Sequence, residues 1–250
     1  MLRIFGKFNP QSLFHPRSIA VLGGEVPSAR QVLDNLHGAG FSGRIDRLDS
    51  PDALRDLPLP PDLVVVTGGE LGPALAAAAS ARAGAAIAIG PGEPGAETPP
   101  FLGPGAFGVV VPAAGLNVSL GHVPAASGSL ALVSSSTSLC RSVIDWAEPN
   151  GVGFSHIVGL GLERGLDAAD ILDVLAREPG VSAILLDIRT VPDPRAFLSA
   201  ARAAARLRPL VALNAGARRH DPSGRAGKVL EAALRRSGVL HVTTLAELLA

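Results

Sequence analysis

Short runs of β-branched and aliphatic residues alternate with alanine- and leucine-rich stretches of helical period along the whole chain. This alternation restricts the fold more than any other feature, because parallel strands need a crossover, usually a helix, to bring the chain back to the same edge. SIAVLG (18–23), GRIDRLD (43–49), LVVVT (63–67) and AAIAIG (85–90) read as strands of a first sheet, and GVVVP (108–112) is able to complete it. Helices are expected in PSARQVLDNLHGAG (27–40) and LGPALAAAASARAG (71–84). Residues 91–105 hold so much proline and glycine that a loop is expected in place of a crossover helix.

PAASGSL (124–130) reads as a linker, after which the alternation resumes. Strands are expected in LALVS (130–134), GFSHIVGLG (153–161), SAILLDI (182–188), PLVALNA (209–215) and LHVTT (240–244). Helices are expected in SLCRSVIDWA (138–147), AADILDVLARE (168–178) and PRAFLSAARAAARLR (194–208). A last helix is capped by Asp221, favoured by Pro222 in its first turn and ended by Gly238, with Val229, Leu230, Ala233 and Leu234 toward the sheet. The reading is therefore an α/β protein with two parallel sheets, residues 1–124 forming one domain and 125–250 the other.

Composition narrows the function. With 22 basic and 22 acidic residues among 250, no net field draws the chain to nucleic acid or to an anionic membrane. Aromatic residues are 4% with no tyrosine, which argues against base-stacking surfaces. Cys140 stands alone, so no intrachain disulfide forms and a reducing compartment is the default. The opening MLRIFGKFNP is too interrupted for a signal peptide and no apolar run is long enough for a bilayer, so a cytoplasmic location is expected. The turn after the first strand, GGEVPS, lacks the spacing G-x-G-x-x-G, and Asp49 alone makes a weak case for a nicotinamide dinucleotide. His156 reads as a satisfied structural histidine on a strand, and His220 and His241 are too scattered from other ligands to suggest a metal.

Several segments carry a resemblance. SLFHPRSIAVLG, SLALVSSSTSLCRSVIDWA, GVGFSHIVGLGLERGLDAADILDVLAREPGVSAILL, DPRAFLSAARAAARLRPLVALNAG and AALRRSGVLHVTTLAELL follow one another as in the NDP-forming acyl-CoA synthetases and, more distantly, the alpha chain of succinyl-CoA synthetase. The resemblance implies a CoA-binding Rossmann-like domain followed by a flavodoxin-like domain. It also implies a reaction in which acyl-CoA and phosphate give an acyl phosphate, a histidine takes the phosphoryl group, and an ATP-grasp partner passes it to ADP. This sequence holds no ATP-grasp region, so ATP, ADP and Mg²⁺ would enter only through a partner subunit.

For CoA, the resemblance points to the turns at Gly23, Gly24 and Ser28, at Thr67 and Gly68, and at Gly103 and Pro104. Backbone amides and a helix N-terminus face phosphate in such turns, although these residues also serve as ordinary tight βα turns. Glu25 stands where the family usually has serine, and Arg30 is placed to compensate. For phosphate, the family's S-Q-S-G-A corresponds to SSSTS, with Ser136, Thr137 and Ser138 at a helix start, where hydroxyls are also the commonest caps.

The candidate phosphohistidine is His220, one residue from the family's S-H-T-G-A histidine and just before the helix start at Asp221 and Pro222. Its supporting positions have changed. Arg189 replaces the glutamate of L-Y-x-E-G, Asn214 replaces a lysine, and Leu162 and Gly165 replace the asparagine and aspartate of L-G-N-E-x-D, while Asp221 adjoins the histidine. The small basic spot Arg218, Arg219 and His220 otherwise reads as solvated loop. The expected function is that of an acyl-CoA synthetase alpha-like protein, catalytically degenerate, with a binding or regulatory role. It holds CoA or acyl-CoA, or docks on an ATP-grasp subunit or another protein, with a homo-oligomer also open. The alternative is an active ligase subunit that uses His220 with a separate ATP-grasp chain.

Overall fold

The computed structural model describes residues 8–189, 191–213 and 225–249. Two sheets form. The first is wholly parallel, in the order β2-β1-β3-β4-β5, from β1 (Ser18–Leu22), β2 (Arg44–Leu48), β3 (Leu63–Val66), β4 (Ala85–Ala88) and β5 (Phe101–Leu102). Its central strands β3 and β4 are buried on every residue, as continuous aliphatic runs covered on both faces should be. Helix α2 (Pro27–Gly38) connects β1 to β2 and α3 (Leu71–Ser80) connects β3 to β4, and no helix stands between β4 and β5, in line with the proline- and glycine-rich stretch there.

The second sheet has seven strands in the order β12-β11-β10-β8-β9-β6-β7. Five are parallel: β8 (Ser127–Ser134), β9 (Phe154–Gly159), β10 (Ala183–Asp187), β11 (Leu210–Leu213) and β12 (Leu240–Val242). The remaining two, β6 (Gly108–Val111) and β7 (Leu116–Ser119), run antiparallel as a hairpin against β9. GVVVP therefore completes the second sheet and not the first, so this sheet is mixed, and the sheets divide between residues 102 and 108. β8 also starts inside the stretch read as linker.

The hairpin ties the halves together. From α2, Gln31 Nε2 donates to the carbonyls of Leu120 and Gly121 at 3.2 and 2.9 Å, and Asn35 Nδ2 to those of Ser119 and Gly121 at 2.9 and 3.0 Å. One core runs through both sheets, from Val32, Leu36, Val109 and Val118 to Val133, Val158 and Leu172. The short helix α1 (Pro10–Phe14) adds Leu13 and Phe14 to it.

Three helices of the second half start on a side-chain cap. Ser136 accepts from Leu139 N–H ahead of α4 (Thr137–Ala147), Asp167 forms a capping box ahead of α5 (Ala168–Leu175), and Asp193 accepts from Arg195 and Ala196 ahead of α6 (Pro194–Leu207). The last long helix is described from Arg225 to Arg236, and Val239 N–H closes its exit on Leu234 O at 3.1 Å, beside Gly238 as expected. Leu234 is buried and Leu230 half-buried, but Val229 is 66% exposed. Five residues before Leu234, Val229 is turned about 140° from the buried stripe at 100° per residue, so it faces away from the sheet. Asp221 and Pro222 lie outside the described residues.

Candidate functional site

Both sheets contain the strand order 2-1-3-4-5, read as β2-β1-β3-β4-β5 in the first and β9-β8-β10-β11-β12 in the second. In such sheets the crevice lies at the carboxyl ends of the first and third strands, where the connections diverge. The molecule thus has two switch points, one between β1 and β3 and one between β8 and β10.

At the first, Gly23 leaves β1 with φ +148°, and a Cβ there would collide with Thr67 Oγ1, so only glycine fits. Thr67 Oγ1 donates to Leu22 O at 2.7 Å and Ser28 Oγ donates to Thr67 O at 3.1 Å. The two hydroxyl protons are thus committed to backbone carbonyls, where they pin the turns after β1 and β3 together. The structure brings Gly23, Gly24, Ser28, Thr67 and Gly68 into one place. A cleft of about 370 Å³ opens beside Gly23 and Gly68, with Asp49 and Glu70 among its lining residues and, among the described residues, no basic side chain.

Gly103 and Pro104 follow β5, with Gly103 against Ala88 at the end of β4. Their carbonyls accept from Arg164 N–H at 3.0 Å and Leu162 N–H at 2.9 Å, stitching the exit of β5 to the loop that follows β9. Glu25, just past Gly24, is 74% exposed on its side chain and pairs with Arg47 and, at 3.4 Å, with Arg30. The hydrogen bond and charge of Arg47, with those of Arg30, hold its carboxyl below the usual range.

At the second switch point a polar network is buried. Ser134 Oγ at the end of β8 donates to Asp187 Oδ2 at the end of β10, 2.7 Å away, and accepts from Ser136 N–H at 2.9 Å. Arg189 Nη2 donates to Ser136 Oγ at 2.6 Å, so the guanidinium sits at the N-terminus of α4. Ser135 Oγ donates to Glu163 Oε1 at 2.8 Å, and Glu163 Oε2 accepts from Ala168 N–H at 3.2 Å at the start of α5. Glu163 is buried with φ +52°, a left-handed backbone that a non-glycine residue keeps only when its surroundings hold it there.

Burial raises the Asp187 carboxyl above its usual range, against the opposing effects of the Ser134 hydrogen bond and the Arg189 charge. Cys140, one turn into α4, is pushed up to about 12 mainly by burial, so it stays a thiol. Ser136 is buried at the cap, Thr137 is half-buried and Ser138 exposed. His220, Asn214, Asp221, Arg218 and Arg219 lie outside the described residues.

His156 departs from the reading of a satisfied histidine. It is 4% exposed on β9, its ring meets Phe14 edge-on at 5.0 Å, and among the described residues neither ring nitrogen has a hydrogen-bond partner. Burial, with a smaller contribution from the nearby His15 charge, lowers it to about 4, so the imidazole is neutral. Among the described residues no group of three or more His, Cys, Asp or Glu is placed to hold a metal, and no helix is long and apolar enough to cross a membrane.

Sequence reasoning missed Asp187 and Arg47, and took Arg189 only as a loss. Asp187 had a signal, since it ends the strand next to the one that ends in Ser134. Arg47 had none, because its pairing with Glu25 depends on how β2 lies beside β1.

Fold and switch points together define an α/β protein built from a parallel sheet and a flavodoxin-like sheet in one continuous core. Residues 127–250 match the succinyl-CoA ligase like flavodoxin domain and belong to that family. The chain is a relative of the ADP-forming acetate–CoA ligases. It is 32% identical over 157 residues to acetate–CoA ligase [ADP-forming] I of Archaeoglobus fulgidus, a match covering 59% of this chain and 23% of that protein. It is 31% identical over 156 residues to the alpha subunit of acetate–CoA ligase [ADP-forming] I of Pyrococcus furiosus, covering 59% of this chain and 34% of that subunit. The matches thus span about a third or less of these relatives' own length. Among solved structures, the apo form of the dinucleotide forming acetyl-coenzyme A synthetase 1 of Ca. Korarchaeum cryptofilum superposes with a TM-score of 0.85 at 23% identity, over 95% of this chain and 60% of that one. At that identity the likeness establishes the fold.

Proposed function

We propose that the chain is an alpha-type acyl-CoA synthetase scaffold that has lost the phosphoryl relay and acts by binding. It takes CoA or acyl-CoA at the first switch point, holds an oxyanion at the second, and docks on a separate ATP-grasp subunit or another protein. ATP, ADP and Mg²⁺ belong to that partner. The observation that carries this reading is the 2.6 Å hydrogen bond from Arg189 to Ser136 at the head of α4.

A carboxylate at position 189 would orient and stabilise a protonated or phosphorylated imidazole, whereas a guanidinium attracts the oxyanion itself. Loss of one such electrostatic partner costs about 100- to 1000-fold in rate. Around Arg189, Ser136 and Glu163 accept from backbone amides at the two helix starts and Ser134 donates to Asp187. Relatives named as alpha subunits support a partner chain.

Thermal melting tests the reading, because a ligand specific for the folded state must stabilise it. Phosphate and CoA should each raise the melting temperature, and Arg189→Met should abolish the response to phosphate while sparing that to CoA. A melting temperature that neither ligand moves would refute it.

A further inference from the structure

The first switch point holds a contradiction. Among the described residues its cleft is lined by Asp49 and Glu70 and by no basic side chain, which is a poor setting for a phosphate-bearing ligand. Yet two arginines meet just past Gly23, which lines the cleft. Arg47 reaches over from β2 and Arg30 from the first turn of α2, and they converge on one carboxylate, that of Glu25 in the turn after Gly24. Glu25 and Arg30 line a second, open hollow of about 600 Å³ beside α2.

A turn of this kind, between the first strand and its helix, is where α/β folds receive phosphate. A carboxylate held there by two guanidinium groups has the charge, and part of the geometry, of a phosphate oxygen pair. We propose that Arg47 and Arg30 form the phosphate-binding pair of the first switch point, and that Glu25 is a built-in anion which occupies the pair until a phosphate-bearing ligand displaces it.

The inference rests on the reading that this switch point takes CoA, and it adds a ligand pair and a competitor to it. The contact is exposed, so Glu25 is a weak competitor that a ligand can displace. With Glu25 in place the three groups carry one net positive charge, and without its carboxylate they carry two.

The test is isothermal titration of the whole chain with CoA and, separately, with inorganic pyrophosphate, for the unsubstituted protein, Glu25→Gln and Glu25→Gln/Arg47→Met. All the altered side chains are exposed, and a melting curve for each variant checks the fold. Glu25→Gln should bind both ligands about fivefold more tightly, and the double variant should lose the gain. Equal affinity for Glu25→Gln and the unsubstituted chain overturns the inference, and leaves the CoA reading standing if both bind CoA. A gain for pyrophosphate with no CoA binding by any variant upholds the arginine pair and overturns the CoA reading. Binding of neither ligand by any variant overturns both.

Discussion

The two switch points share a strand order and little else. Between β1 and β3 the hydroxyls of Thr67 and Ser28 spend their protons on backbone carbonyls, the cleft is acidic, and Arg47 and Arg30 are held by Glu25. Between β8 and β10 an arginine reaches the helix start directly through Ser136, and the carboxylates of Asp187 and Glu163 are buried beneath it on hydroxyls and an amide. Strand order locates a crevice, but the side chains at its rim decide which charge it receives. For this reason the fold alone does not establish the activity.

Gly23→Val should be the most damaging change at either crevice. It forces a Cβ into Thr67 Oγ1 at a backbone angle that valine avoids, with a cost of about 3 kcal/mol or more in chemical denaturation. A tolerated valine would mean that the pinned turn is not rigid. The joint between the halves supplies the next effect. His156 titrates near 4 in the folded chain and near its ordinary value when unfolded, so between those values the unfolded state binds more protons. Stability should therefore fall as pH drops from about 6.5 to about 4, by up to about 3 kcal/mol, with no further loss from this group below that. His156→Leu should flatten that part of the profile, and an unchanged slope would show that other groups carry it.

Ser134→Ala removes the hydroxyl donor from the buried Asp187 carboxylate and should cost about 1–3 kcal/mol. Asp187 has the opposite pH sign to His156. Its folded value is raised, so the folded state binds the proton more readily and acidification through that range relieves strain. Asp187→Asn should remove this contribution, and a profile identical to the parent would show that the second crevice does not store that charge. Arg189→Met should have the smallest effect on stability, within about 0.5 kcal/mol, because the side chain is exposed. Its effect should appear only when phosphate is present.

The sequence made most of the scaffold legible because strands such as LVVV and AILLD are unbroken aliphatic runs, and because helices such as α5 and α6 open on Asp caps. The exchange of β6 and β7 into the second sheet was not legible. Aliphatic periodicity marks a strand but does not say which sheet it joins, and the hairpin follows the first sheet directly in the chain. At the sites, Gly23, Thr67 and Ser136 could be picked out from turn and cap chemistry. Gly103 and Pro104 share that chemistry but are used between the halves. The polarity of the second crevice depends on Ser134 meeting Asp187 and on Arg189 meeting Ser136, pairs each separated by 53 residues, and no local pattern encodes them.

The central claim is that the second crevice holds an oxyanion and does not pass it on. Incubation of the chain with an ATP-grasp partner subunit, Mg²⁺ and ATP labelled in its transferable phosphate tests this most directly. The account predicts no acid-labile label on this chain, with phosphate still raising its melting temperature through Arg189. Acid-labile label that accumulates on the chain and disappears in His220→Ala would contradict it and restore a working phosphohistidine.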